Sequence, residues 1–358
     1  MTTNPTLAVQ RLGQSLWLDN ITRDLLDNGT LQAYRDTRHV TGLTSNPTIF
    51  DHAIGKSSAY DRALRDQGGK DPEQLFFDLA LDDLRRAAQL FAPVHRRTQG
   101  VDGWVSLEVS PLLADDTART VEQAVLLHRR AGVPNLYIKV PGTAAGAGAI
   151  EELTYRGVPV NVTLLFSPQQ YQAAADAYLH GLERRLAEGL TLDVSSVASV
   201  FISRWDVLVA EKVPPAMHNQ IGLAVAACAY ASYRRLLDSA RLQALMNAGA
   251  RPQRLLWAST GTKDPAASDV LYIEGLIAPL TINTVPDKTL QAFADHGKAT
   301  VSLSTDDSAA RAVLARFAAR GLEVDALAAE LQKQGAQKFD ASWKDLLATV
   351  RQRAERAA

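Results

Sequence analysis

A lysine inside an apolar strand is the first residue of this sequence that calls for a chemical reason. In NLYIKV (135–140), Lys139 stands between Ile138 and Val140. Burial in such a run disfavours an ammonium and favours the neutral amine, the nucleophile that condenses with a carbonyl to form a Schiff base. From spacing alone, a structural ion pair with Glu108 or Asp19 accounts for it equally well. Glu108, in VSLEVSP, carries the same two readings: counter-ion, or general acid/base with a proton affinity raised by partial burial. Asp19 closes SLWLD and reads either as a site carboxylate or as the cap of a helix beginning near Ile21.

Further polar residues close other apolar runs. Thr44, Ser45 and Asn46 end HVTGLTS and enter a proline, so a plain turn is the alternative for Asn46-Pro47. Asn161 and Thr163 alternate in PVNVTLLF and therefore share one face of the strand. Ser203 and Arg204 follow SVASVFI, while Ser259 and Lys263 follow RLLWA.

The elements that must position these residues are short β-branched runs, each followed by amphipathic helical spacing, the pattern of βα units around a parallel sheet. The runs are 15–19, 39–45, 103–109, 135–140, 159–166, 196–203, 254–259 and 276–285. They predict a (β/α)8 barrel with its active site at the C-terminal ends of the strands. The whole chain, 1–358, reads as a single barrel domain. A helical insertion is expected over about 51–102, and C-terminal helices over about 308–356, one at 308–320 and a last one at 336–356.

Composition narrows the partners. Lys+Arg 38 against Asp+Glu 39 gives a net charge of −1 with no basic block, which argues against nucleic acid and anionic membrane. One cysteine allows no internal disulfide and no cysteine-based zinc site, and it fits a reducing cytoplasm. No export signal stands at the start, and the apolar stretch 221–233 is short for a membrane span. The histidines lack metal-ligand spacing, and Asp82-Asp83, Asp115-Asp116 and Asp306-Asp307 read as solvated faces. PGTAAGAGA (141–149) lacks both the dinucleotide and the phosphate-loop signatures, and reads as a flexible loop leading into a helix.

LTSNPTIF, SLEVSP, YIKVPGT, VNVTLLFS, VFISRWD and WASTGTK, in this order, resemble the transaldolase family, in particular its longer bacterial branch. The resemblance spans nearly the whole chain. It implies transfer of a dihydroxyacetone unit from sedoheptulose 7-phosphate or fructose 6-phosphate to an aldose phosphate such as glyceraldehyde 3-phosphate or erythrose 4-phosphate, in the non-oxidative pentose phosphate pathway. No metal or cofactor is implied. By motif, Lys139 forms the Schiff base, Glu108 is the acid/base working through a water held by Thr163, and Asp19 takes the hydroxyl proton during carbon–carbon cleavage. Asn46, Asn161 and Ser203, with Thr44 beside them, would bind the dihydroxyacetone moiety.

The phosphate ligands are where this sequence leaves the shorter branch, whose arginines near strands six and seven are missing here. Arg204, Ser259 and Lys263 are the substitutes on the expected rim. Two other readings stand beside transfer: an aldolase that releases free dihydroxyacetone, and a non-catalytic sugar-phosphate-binding barrel whose lysine is only an ion-pair partner. A homo-oligomer is left open.

Overall fold

The computed structural model describes residues 4–66 and 69–357. The strands are β1 Ser15–Asp19, β2 Val40–Thr44, β3 Val105–Glu108, β4 Leu136–Pro141, β5 Val160–Leu165, β6 Ser196–Phe201, β7 Arg254–Ala258 and β8 Thr281–Val285. All ladders are parallel and form one eight-stranded sheet in the order β2-β1-β8-β7-β6-β5-β4-β3. The two ends of that order meet through Gly103 N–H to Thr41 O at 2.9 Å and Leu43 N–H to Trp104 O at 3.0 Å. Gly42 makes this approach feasible, because a Cβ there would lie 2.6 Å from Trp104 O and 2.8 Å from the Trp17 ring. The α/β barrel expected from the βα alternation is the fold.

Alternation along the strands builds two layers of core. Leu16, Leu18, Val105, Leu107, Ile138, Val140, Val160 and Val162 face the surrounding helices. Trp17, Trp104, Tyr137, Val197, Leu256 and Ile282 belong to a separate interior cluster. The Trp17 and Tyr137 rings stack at 6.2 Å and those of Tyr137 and Trp104 at 4.1 Å, filling the barrel below the strand ends.

Strand β8 is shorter than expected. In LIAPLTINTV only Thr281–Val285 joins the sheet. Pro279 has no amide hydrogen for a ladder, and Leu280, at φ 66°, turns the chain and donates its N–H to Gly13 O at 2.8 Å. Helices Pro47–Lys56, Asp61–Asp66 and Pro72–Arg97 occupy the interval read as helical. After β8 come Asp287–His296, which the sequence reading did not name, then Ser308–Ala318, then a terminal helix Val324–Ala357. This last helix begins well before Ala336 because Gly335, which resembles a helix boundary, lies inside it where the helix presses on Leu164.

Two local expectations are corrected. In PGTAAGAGA the chain becomes helical at Ala144, with Thr143 Oγ1 accepting from Gly146 N–H at 3.0 Å, and Gly146 is required because a Cβ would meet Pro141 O at 1.8 Å. The glycines serve close packing, not a flexible loop. In the pair read as a solvated face, Asp82 is exposed but Asp83 is buried. Asp83 accepts from Arg23 Nε at 2.8 Å and from Tyr60 OH at 2.7 Å, tying the first βα loop to helix Pro72–Arg97.

Candidate active site

The strand register assembles the site. Asp19 pairs with Thr44 across β1 and β2. Glu108 pairs with Lys139 across β3 and β4, and Lys139 with Asn161 across β4 and β5. At the C-terminal ends lies a cavity of about 770 Å³, lined among others by Asp19, Thr44, Asn46, Lys139 and Thr163. Ser203, Arg204, Ser259 and Lys263 line it as well.

Lys139 Nζ lies 3.5 Å from Glu108 Oε1 and donates to Ser45 O at 3.0 Å. Both side chains are only 7 % exposed, so amine and carboxyl interact strongly at low effective dielectric. Burial pushes the Glu108 carboxyl up to about 7, with the lysine pulling it down and Asp19 adding to the rise. Glu108 Oε2 and Thr163 Oγ1 are buried with no hydrogen-bond partner among the described residues. Two such atoms, on the strands either side of the one that carries the amine, leave polar capacity for a molecule from outside.

Asp19 is also raised by burial, against the pull of Lys139, a hydrogen bond from Thr44 and the charge of Lys263. Thr44 Oγ1 lies 2.8 Å from Asp19 Oδ1 and 2.6 Å from Thr284 Oγ1. Asp19 does not cap the helix that follows. Thr22 does so, accepting from Leu25 N–H at 3.0 Å. Asn46 both lines the cavity and caps Pro47–Lys56, its Oδ1 accepting from Ile49 N–H at 3.0 Å.

Asn161 is fully buried, donating to Ser106 Oγ at 3.2 Å and accepting from Ser199 Oγ at 2.7 Å. It meets the cavity through Ser199, which is on the wall. The Ser203 and Ser259 hydroxyls are 2.9 Å apart. Burial lowers the proton affinity of Arg204, whose guanidinium lies 6.0 Å from the centre of the Phe201 ring. Asp206 is not its partner, being engaged with the Ile221 and Gly222 amides and the Tyr272 hydroxyl.

The far wall comes from the terminal helix, through Leu331, Gln334, Gly335, Lys338, Phe339 and Ser342. Phe339 holds its ring centre 5.9 Å from Lys139 Nζ. None of these residues was singled out in the sequence, nor was Thr284. Thr284 could have been found by the reasoning applied to Thr163, since it is a polar residue in a buried strand. The helix residues carry no such signal.

Among the described residues, no group of three or more His, Cys, Asp or Glu side chains is placed to hold a metal ion. Among the same residues, no helix is long and apolar enough to cross a membrane. Fold and site together define an α/β barrel with a buried amine and two carboxylates of raised proton affinity at its C-terminal mouth.

The transaldolase/fructose-6-phosphate aldolase family matches residues 16–350, and the chain belongs to that family. It is 45% identical over 357 residues to a transaldolase of Thiobacillus denitrificans, covering 97% of this chain and 99% of that protein. To a transaldolase of Mycobacterium tuberculosis it is 41% identical over 370 residues, covering 99% of each chain. To one of Frankia alni it is 42% identical over 367 residues, covering 99% of this chain and 98% of that protein.

Proposed function

We propose that the chain is a transaldolase, moving a dihydroxyacetone unit from a ketose phosphate, such as sedoheptulose 7-phosphate or fructose 6-phosphate, to an aldose phosphate. The observation that carries the reading is Lys139 Nζ in the cavity wall, 3.5 Å from a carboxyl that holds its proton to about pH 7. The amine adds to the ketose carbonyl, the carbinolamine loses water, and a protonated imine remains on Lys139. Glu108 accepts and returns the protons of these steps through a water held by Thr163. Asp19 then removes the proton of the hydroxyl next to the bond that breaks. The bonding electrons move into the imine, an aldehyde leaves, and an enamine stays on the lysine. Attack of the enamine on the acceptor aldehyde, with Asp19 returning its proton, and hydrolysis complete the transfer.

Asn46, Thr44, Ser203 and, through Ser199, Asn161 hold the three-carbon unit in this reading. Arg204 and Lys263, helped by Ser259, hold phosphate, arginine with a planar fork and lysine as a point charge. The barrel and its added helices act as one domain in the cytoplasm, on sugar phosphates and without a bound cofactor. The test is borohydride reduction in the presence of fructose 6-phosphate, followed by peptide mass analysis. The expected result is inactivation with one adduct on Lys139, abolished in Lys139→Arg because a guanidinium is no nucleophile at neutral pH. An adduct on Lys263 or Lys338 instead, or none, overturns the reading. Supplying donor with and without glyceraldehyde 3-phosphate separates transfer from aldolase release of free dihydroxyacetone.

A further inference from the structure

The terminal helix does more than wall the cavity. Gln332 Nε2 donates to Gly142 O at 2.9 Å and to Leu164 O at 3.0 Å. Gly142 directly follows β4, the strand of Lys139, and Leu164 directly follows Thr163 on β5. The two segments are joined besides by Gly142 N–H to Thr163 O at 2.7 Å. One side-chain amide thus spans the ends of the strands that carry Lys139 and Thr163.

Strand β5 is irregular at this point. Val162 pairs with Ala198 and Leu165 with Val200 on β6, so Thr163 and Leu164 form a bulge. Leu164 has φ 60°, a left-handed conformation that crowds Cβ against the backbone and that a leucine keeps only when its surroundings hold it there. Bulges beside active sites redirect side chains. Here the terminal helix holds the bulge twice. Gln332 takes the Leu164 carbonyl, and Gly335 lies so close that a Cβ would stand 2.9 Å from Leu164 Cδ2. The redirected residue is Thr163, whose buried hydroxyl has no hydrogen-bond partner among the described residues.

We propose that Gln332 is a positioning residue: by clamping the Gly142 and Leu164 carbonyls it holds the β5 bulge, and so aims the Thr163 hydroxyl at the proton transfers of imine formation. This rests on the reading of Lys139 as the imine-forming residue. Gln332 is not part of the cavity wall, and its effect passes through Thr163.

The experiment measures the rate of borohydride trapping with fructose 6-phosphate in wild type, Gln332→Met, Thr163→Val and the double variant, with thermal melting of each. Gln332→Met should slow trapping ~10–100-fold, the size expected for a reacting group displaced by about an ångström. KM should stay near its wild-type value, and the double variant should trap no more slowly than Thr163→Val alone, since both changes remove one function. Trapping of Gln332→Met at the wild-type rate, or losses that multiply in the double variant, overturns the proposal. Should Gln332→Met fail to fold, Gln332→Leu, which also removes both hydrogen bonds, must slow trapping in the same way, or the proposal falls. Absence of any Lys139 adduct in the wild type overturns the underlying reading as well. Normal wild-type trapping with an indifferent Gln332 variant overturns this inference alone.

Discussion

Lys139 and Glu108 are adjacent in register and 3.5 Å apart, so the lysine acts directly on the carboxyl. Below about pH 7 the carboxyl is protonated and cannot accept the protons that imine formation releases. The specificity constant should therefore fall as pH drops through about 7, approaching tenfold per unit, and Glu108→Gln should erase this limb while lowering the plateau ~10²–10⁴-fold. A limb that persists unchanged in the variant would assign it to another group. The phosphate question is also one of single residues. Arg204 lies on the cavity wall and Asp206 is engaged elsewhere, so the guanidinium is free of the neighbour most able to neutralise it. Arg204→Ala should cost ~10–150-fold in specificity constant for glyceraldehyde 3-phosphate, the value of one charge-assisted contact, and much less for unphosphorylated glyceraldehyde. An equal loss on both acceptors would make Arg204 a scaffold residue. These groups were legible in the sequence for one reason: a polar residue inside a buried parallel strand must be justified by a partner or a function, and the strand's period tells which way it points.

Elements were legible where periodicity spoke and illegible where packing decided. The runs around Lys139 and Thr163 were recognised with limits within a residue or so, whereas β8 was drawn too long because apolar residues before Pro279 look like strand. Asp83 shows the same limit for side chains. Nothing in an Asp-Asp pair on an amphipathic helix tells which carboxylate turns inward to Arg23 and Tyr60. Breaking that contact should be felt strongly, because Asp83 is fully buried and its loss leaves a largely buried guanidinium unpaired. Asp83→Ala should lower unfolding free energy by about 3–5 kcal/mol, measured by urea titration, with little effect on trapping at Lys139 in the folded fraction. A change below about 1 kcal/mol would place the anchor of the first βα loop elsewhere. The terminal helix lay furthest beyond sequence reasoning. Its polar and apolar residues alternate as on any surface helix, and only the folded barrel shows that Phe339 meets the lysine.

Neighbouring strands are joined by parallel ladders all round the barrel except between β2 and β3, where two backbone hydrogen bonds close it around Gly42. Gly42→Ala would force Trp104 O and the Trp17 ring away from that seam. It should destabilise by about 1–3 kcal/mol or more, seen as a lower urea midpoint, because both obstacles belong to the close-packed interior and cannot swing aside. An unchanged midpoint would mean that the seam adjusts freely. The helix that supplies the cavity's far wall is also translated after all eight strands. At 5–20 residues per second its 34 residues take roughly 2–7 s to make. Until then β4 carries Lys139 without Phe339 over the amine or Gln332 across the strand ends, and the core lacks Trp343, Leu346 and Val350. The nascent protein therefore finishes its core and closes its cavity in one late step, and chains stopped before Val324 should not trap fructose 6-phosphate at Lys139 at the wild-type rate.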